Sequence, residues 1–261
     1  MLLRLVLRGS RTPSMAVRPM SAGFVVPAPP TTSLAVVGEA DRFPVRRVFC
    51  VGRNFAEHAK EMGADTREPP FYFSKPADAL VDVSGSTSGA APHPIPYPPA
   101  TEDLHHEVEM VVAIGRGGTD IAVADALAHV YGFGVGVDLT RRDLQAQAKA
   151  MRRPWDLAKG FDASGPVGAI TPVAALPGAD AAAMGSGAIE LRVNGATAQS
   201  GDMSELVWST AELVANLSSS VALAAGDVIF TGTPAGVGAL QRGDVVEASV
   251  AGLETVHIEL V

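Results

Sequence analysis

The sequence predicts a β-rich α+β domain, and three observations carry that prediction. Beyond Phe43 the chain breaks into short runs of β-branched and aromatic residues separated by Gly and Pro. Strand-like runs outnumber helical ones. The two kinds do not alternate regularly, which argues against a doubly wound parallel sheet.

Taken in order, strands are expected over residues 46–52 (RRVFCVG), 107–114 (EVEMVVAI), 131–139 (YGFGVGVDL) and 188–195 (AIELRVNG). Three more follow over 228–232, 245–252 and 255–261. Helices fit residues 55–62, 123–129, 141–151 and 204–217. The last is read as starting at Ser204 and carries Leu206, Val207, Thr210, Leu213, Val214 and Leu217 at helical spacing. Residues 84–99 (SGSTSGAAPHPIPYPP) read as a surface loop. No internal repeat is visible.

With 261 residues, 47% hydrophobic and 18% charged, the chain can bury a substantial core, which excludes a disordered protein. No apolar run approaches the ~18 residues of a membrane span. The net charge is −8, and Arg4, Arg8, Arg11 and Arg18 precede the first acid, Glu39, so the body is more acidic still. Such a surface repels phosphate backbones and makes nucleic acid an unsuitable partner. Cys50 is the sole cysteine, which excludes an internal disulfide and every Cys-cluster metal site. Residues 1–23 have the composition of a mitochondrial presequence, and imply a matrix protein. The competing reading is a start placed too early, with Met20 as the first residue and a cytoplasmic protein. Residues 24–43 read as a Pro-rich arm extended on the surface, and residues 44–261 as one folded domain.

The stretch LHHEVEMVVAIG carries the most chemistry. Residues two apart on a strand share a face, so Glu107 and Glu109 project together while Val108, Met110, Val112 and Ile114 take the other side. Two carboxylates on an apolar strand repel each other and lose hydration, and the remedies are a proton, a cationic side chain or a metal. Hard carboxylate oxygens favour Mg²⁺, Mn²⁺ or Ca²⁺ over zinc. A solvated strand edge with alternating charges is the competing reading. In YGFGVGVDL, Asp138 shares a face with Gly132, Gly134 and Gly136, which lets another backbone approach and brings a third acid toward the pair.

Four further features stand nearby. Thr140 and Asp143 are spaced as a capping box opening a helix that carries Arg142, Gln145 and Lys149. Asn54 and Glu57 are spaced as an N-cap pair for a helix on which His58 and Glu61 face the same way. A His oriented by a carboxylate is a general-base arrangement, although an ordinary surface pair has the same spacing. Lys159, on a strand face with Trp155, Leu157 and Phe161, is placed to meet an anion or to snorkel to water. VIFTGTPAGVG (228–238) is a strand entering a Gly/Pro turn whose amides and hydroxyls suit a carboxylate. Neither a dinucleotide fingerprint nor a P-loop is present.

Together CVGRNFAEHAKEMG, FYFSKPADALV, YPPATEDLHHEVEMVVAIG, DLTRRDLQAQAK, RPWDLAKGFDASGPVG, LRVNG and VIFTGTPAGVG resemble, in that order, the fumarylacetoacetate hydrolase family. The resemblance covers about residues 44–261 and is nearest to its short, single-domain, fumarylpyruvate hydrolase and acylpyruvase branch.

The resemblance implies a β-rich roll of mixed sheets, a homodimer, and Glu107, Glu109 and Asp138 as ligands of Mg²⁺ or Mn²⁺. It implies His58 with Glu61 as the water-activating dyad. Arg142, Gln145 and Lys159 would surround the pyruvate end of a β-diketo acid, and Thr233 with neighbouring amides would hold its carboxylate. The implied reaction is hydrolysis of a C–C bond in an acylpyruvate, foremost fumarylpyruvate. Decarboxylation of oxaloacetate, isomerisation of a dienoic diacid and a non-catalytic metal-binding module are the alternatives.

Overall fold

The computed structural model describes residues 24–55, 68–87 and 89–261. His58 and Glu61 therefore lie outside the described residues, as does most of the helix expected over 55–62. Residues 1–23, read as a presequence or an over-extended start, lie outside them too.

Strands dominate, as expected. Among the described residues the largest sheet has eight strands. Its path runs Phe71–Lys75, Arg47–Gly52, Asp227–Phe230, Val108–Ile114, Val130–Val137, Gly165–Val167 and Leu80–Asp82, with Thr171–Pro172 pairing off the Val130–Val137 strand. Parallel and antiparallel pairs are mixed: Asp227–Phe230 runs parallel to Arg47–Gly52 and antiparallel to Val108–Ile114. A five-stranded sheet, ordered Ala196–Asp202, Ala188–Val193, Val245–Val250, Val256–Leu260 and His93–Ile95, packs against one face of the first.

The alternation read from LHHEVEMVVAIG accounts for two cores. Val108, Met110, Val112 and Ile114 join Phe133, Val135, Ile189, Leu191, Val246 and Ile258 between the sheets. On the other side Val111 and Ala113 join Leu34, Val36, Phe43, Ile170 and Phe230. The Val108–Ile114 strand is thus buried along its whole length on both faces.

Its partner strand meets this crowding with glycine. A Cβ on Gly132 would lie 2.4 Å from the backbone carbonyl oxygen of Thr171, a contact that only backbone movement could relieve. Gly132→Ala is expected to destabilise the fold by about 1–3 kcal/mol, the usual range for overpacking. Urea unfolding that shows no loss would refute the close-approach reading.

Four expectations need correction. Of the residues read as a surface arm, 24–30 are exposed, but Ser33–Leu34 pairs with Phe43–Pro44, and Leu34, Val36 and Phe43 are buried. The loop read over 84–99 contains a strand, His93–Ile95, which pairs in parallel with Val256–Leu260 and buries Ile95. The helix read from Ser204 begins at Thr210, because Ser209 and Glu212 form the capping box and Met203–Glu205 is a separate 3₁₀ turn. Thr140 and Asp143 do not form one: the Thr140 hydroxyl donates to the Asp138 carbonyl, and Asp143 accepts from Thr101.

Candidate active site

Three carboxylates converge where the two central strands of the large sheet end. Each of Glu107, Glu109 and Asp138 offers an oxygen, and these atoms all lie within 4.8 Å of one another. The backbone register explains the meeting: Val108 opposes Val137 and the Asp138 amide donates to the Glu107 carbonyl at 2.8 Å. The period-two reading of the glutamates and the glycine-face reading of Asp138 both hold.

Cations answer two of the three acids. The Lys159 ammonium donates to Glu107 Oε2 at 2.8 Å and to Asp138 Oδ2 at 2.7 Å. Arg142 donates to Glu107 Oε1 at 2.5 Å and, through its other terminal nitrogen, to Gln145 Oε1 at 2.6 Å. Lys159 is fully buried, so the anion-facing reading of this lysine holds and snorkelling does not. Its local structure differs from the expected strand, since Asp156–Lys159 is a single helical turn and Leu157 points to solvent.

Burial penalises every charge here, and the neighbours decide the outcome. For Glu107 the burial is outweighed by Lys159 and Arg142, which hold its carboxyl well below the usual carboxylate range. For Lys159, burial is likewise overcome by Asp138 and Glu107, so its pKa rises. Glu109 is different. Burial pushes it well above the ordinary range, and the charges of Asp138 and Glu107 push the same way. Among the described residues no Lys or Arg pairs with it, and the Gly232 amide donates to its Oε2 at 2.6 Å. That amide, expected to serve a ligand carboxylate, is thus committed to Glu109.

A divalent metal ion fits this donor set. All the ligands are hard oxygens, and among the described residues no Lys or Arg pairs with Glu109, so the cluster keeps one buried carboxylate that a cation would neutralise. Each Glu107 oxygen keeps a lone pair beyond the one given to a cation.

The same pocket is lined by Arg142, Gln145, Lys159 and Thr233. Thr233 Oγ1 accepts from Gln199 Nε2 at 2.7 Å, leaving its hydroxyl hydrogen free to donate into the pocket. Gln199 is itself fixed by His106 Nδ1 and the Val108 amide, at 2.9 and 3.1 Å from its Oε1. The helix that Asn54 was expected to cap lies outside the described residues, but Asn54 itself is described. Its side chain donates to the carbonyls of Trp208 and Thr231 and accepts from the Trp208 amide, tying this edge of the pocket together.

One important residue was missed. Lys75 ends the Phe71–Lys75 strand fully buried, with Nζ 2.8 Å from Asp138 Oδ1 and donating to the Leu139 and Lys159 carbonyls. The only sequence signal was a lysine closing an aromatic run, which reads equally well as a strand reaching water. Lys75→Met would leave a buried carboxylate short of one counter-ion and take a donor from the Leu139 and Lys159 carbonyls, of which the second keeps the Ser164 hydroxyl. A loss of about 3 kcal/mol is expected, the lower end for breaking a buried pair, because Lys159 remains. Denaturant unfolding with a loss below about 1 kcal/mol would show that the pair contributes little.

The model of the fumarylacetoacetate hydrolase C-terminal domain matches residues 47–261, the stretch that holds the core between the sheets and the carboxylate cluster. The chain belongs to the fumarylacetoacetate hydrolase family. In structure it is similar to the fumarylpyruvate hydrolase of Pseudomonas aeruginosa, solved in complex with Mn²⁺ and pyruvate. The TM-score is 0.85 with 43% identity, and the match covers 92% of this chain and 99% of the other. It is 38% identical over 191 residues to the fumarylpyruvate hydrolase of a Ralstonia species, covering 73% of this chain and 92% of that relative. It is also 36% identical over 214 residues to a mitochondrial oxaloacetate tautomerase of Arabidopsis thaliana, covering 82% of this chain and 90% of the relative. Family membership and the buried cluster together make the chain an enzyme of this family with a site fitted to a divalent metal. No helix among the described residues is long and apolar enough to cross a membrane.

Proposed function

We propose that this protein hydrolyses the C–C bond between the acyl group and the pyruvyl unit of an acylpyruvate, fumarylpyruvate foremost, giving fumarate and pyruvate. The observation that carries the reading is the buried Glu107–Glu109–Asp138 cluster sharing a pocket with Lys159, Arg142 and Gln145. Its likeness to an enzyme solved with Mn²⁺ and pyruvate supports it.

In this reading Glu107, Glu109 and Asp138 hold Mg²⁺ or Mn²⁺, which supplies Lewis acidity toward the α-keto acid end of the substrate. Arg142 and Gln145 orient the pyruvyl carboxylate, and the Thr233 hydroxyl donates to a second oxygen. His58, aligned by Glu61, takes a proton from water as the oxygen adds to the distal carbonyl carbon. When the adduct collapses, the C–C bond breaks and its electron pair goes to the pyruvyl carbon. The Lys159 ammonium faces the enolate charge that develops there. Protonation of that carbon gives pyruvate, and the acyl group leaves as a carboxylate.

A second reading is oxaloacetate decarboxylation or tautomerisation, the latter favoured by the Arabidopsis relative. It would need no attacking water, and His58 would only move protons. The deciding experiment compares fumarylpyruvate, acetylpyruvate and oxaloacetate side by side with Mg²⁺. Hydrolysis predicts pyruvate release from the acylpyruvates with the higher kcat/KM, whereas turnover of oxaloacetate alone would establish the second reading. The same proposal includes a homodimer, to be tested by sedimentation equilibrium. It places the enzyme in the mitochondrial matrix if residues 1–23 direct import, and in the cytoplasm otherwise.

A further inference from the structure

The pocket holds more positive charge than the carboxylate cluster uses. Lys75, Lys159 and Arg142 are committed to Asp138 and Glu107. Arg53 and Lys149 line the same pocket, yet no carboxylate among the described residues pairs with either. Each rests on an aromatic ring instead. The Arg53 guanidinium carbon is 5.8 Å from the centroid of Phe71, and Lys149 Nζ is 5.2 Å from that of Trp155. A ring face holds a cation in place without neutralising it, so both charges remain available to an anion.

The backbone is shaped around this pair. Phe71 and Trp155 meet edge to face, with centroids 5.5 Å apart and planes at 85°. The Phe71 ring fills the space a side chain on residue 52 would need, since a Cβ on Gly52 would lie 2.0 Å from its Cζ. Arg53 follows with φ of 58°, a left-handed conformation that is costly for a residue with a side chain. Lys149 stands on the helix Arg142–Ala150 at i+7 from Arg142 and i+4 from Gln145, which puts all three on one helix face. Burial, followed by the like charges of Arg142 and Arg53, lowers the Lys149 pKa. An arriving anion would relieve that repulsion.

We propose that Arg53 and Lys149 bind the distal carboxylate of the substrate and select acylpyruvates whose acyl group is flat and ends in an anion. The inference rests on the acylpyruvate reading above and names the substrate class within it. Arg142 and Gln145 serve one end of the molecule, and Arg53 and Lys149 the other. The Phe71 and Trp155 rings, which line the same pocket, offer apolar surface to a planar, conjugated acyl chain.

The test is the ratio of kcat/KM for fumarylpyruvate to that for acetylpyruvate, which lacks the distal charge. It is measured in the Mg²⁺-loaded wild type and in Lys149→Met, Arg53→Met and Lys149→Arg. A ratio taken within one variant does not depend on the fraction folded. Each Met variant is expected to lower it about 10- to 100-fold, the effect of losing one charge-assisted hydrogen bond, and Lys149→Arg to keep most of it. Ratios within about threefold of wild type in both Met variants would overturn the assignment. If the wild type cleaves neither acylpyruvate, it is the hydrolase reading that fails. Calorimetric titration with fumarate then decides the anion site alone: binding weakened in Lys149→Met sustains it, and equal or absent binding in both proteins overturns it.

Discussion

Glu109→Gln is expected to abolish turnover and to weaken divalent-ion affinity by more than the roughly 100-fold that losing a supporting hydrogen bond costs a metal site. The change isolates charge from shape, because the glutamine carbonyl can still accept from the Gly232 amide that Glu109 engages at 2.6 Å. It removes the one carboxylate of the cluster that no Lys or Arg balances among the described residues. Two measurements separate metal loss from collapse of the fold. Without metal, the variant should be at least as stable as the wild type, since a like charge beside Asp138 and Glu107 has gone. With metal, wild-type stability should rise by about 2.7 kcal/mol at a hundredfold excess over Kd, and the variant's should not. Wild-type Mg²⁺ affinity in the variant would sink the ligand assignment.

His58→Ala is the second large effect. Hydrolysis is expected to fall by about 10²–10⁴-fold, the range for a lost general base. His58 and Glu61 lie outside the described residues, so this expectation rests on their spacing and on the family resemblance. Every proposed metal ligand is remote from them in sequence, so Mg²⁺ binding should survive. Release of CO₂ from oxaloacetate needs stabilisation of an enolate but no attacking water, and any such activity should fall much less. The two reactions then diverge in one variant. Equal losses with metal retained would give His58 a shared role, such as holding substrate, and would remove it as the hydrolytic base.

The parts of this site legible in the sequence are those governed by strand geometry. A period of two placed Glu107 and Glu109 together, and the glycines of YGFGVGVDL pointed to the close approach that brings Asp138 to them. The apolar neighbours of Lys159 leave an anion partner and snorkelling equally open, and its single helical turn is too short to leave a periodic pattern. Lys75 was invisible for a different reason. A lysine at a strand end is ordinarily solvated, and only the tertiary meeting with Asp138 changes its meaning. The Ser209–Glu212 capping box was readable, but the apolar Leu206 and Val207 extended the helical pattern across it. Arg53 and Lys149 acquire significance only through the Phe71–Trp155 contact, which joins residues far apart in the chain.

The burial of the Val108–Ile114 strand on both faces has a dynamic consequence. Glu109 belongs to this strand, and Glu107 and Asp138 flank its pairing with Val130–Val137. Amides here can meet solvent only when both apolar layers part, so their hydrogen exchange should be limited by global unfolding. The carboxylate cluster therefore lacks a local opening of its own: it persists as long as the domain is folded and disappears with it. Adaptation to a new acyl group is mechanically cheaper at the aromatic wall carrying Arg53 and Lys149, where side chains can change without loosening the strands that hold the acids.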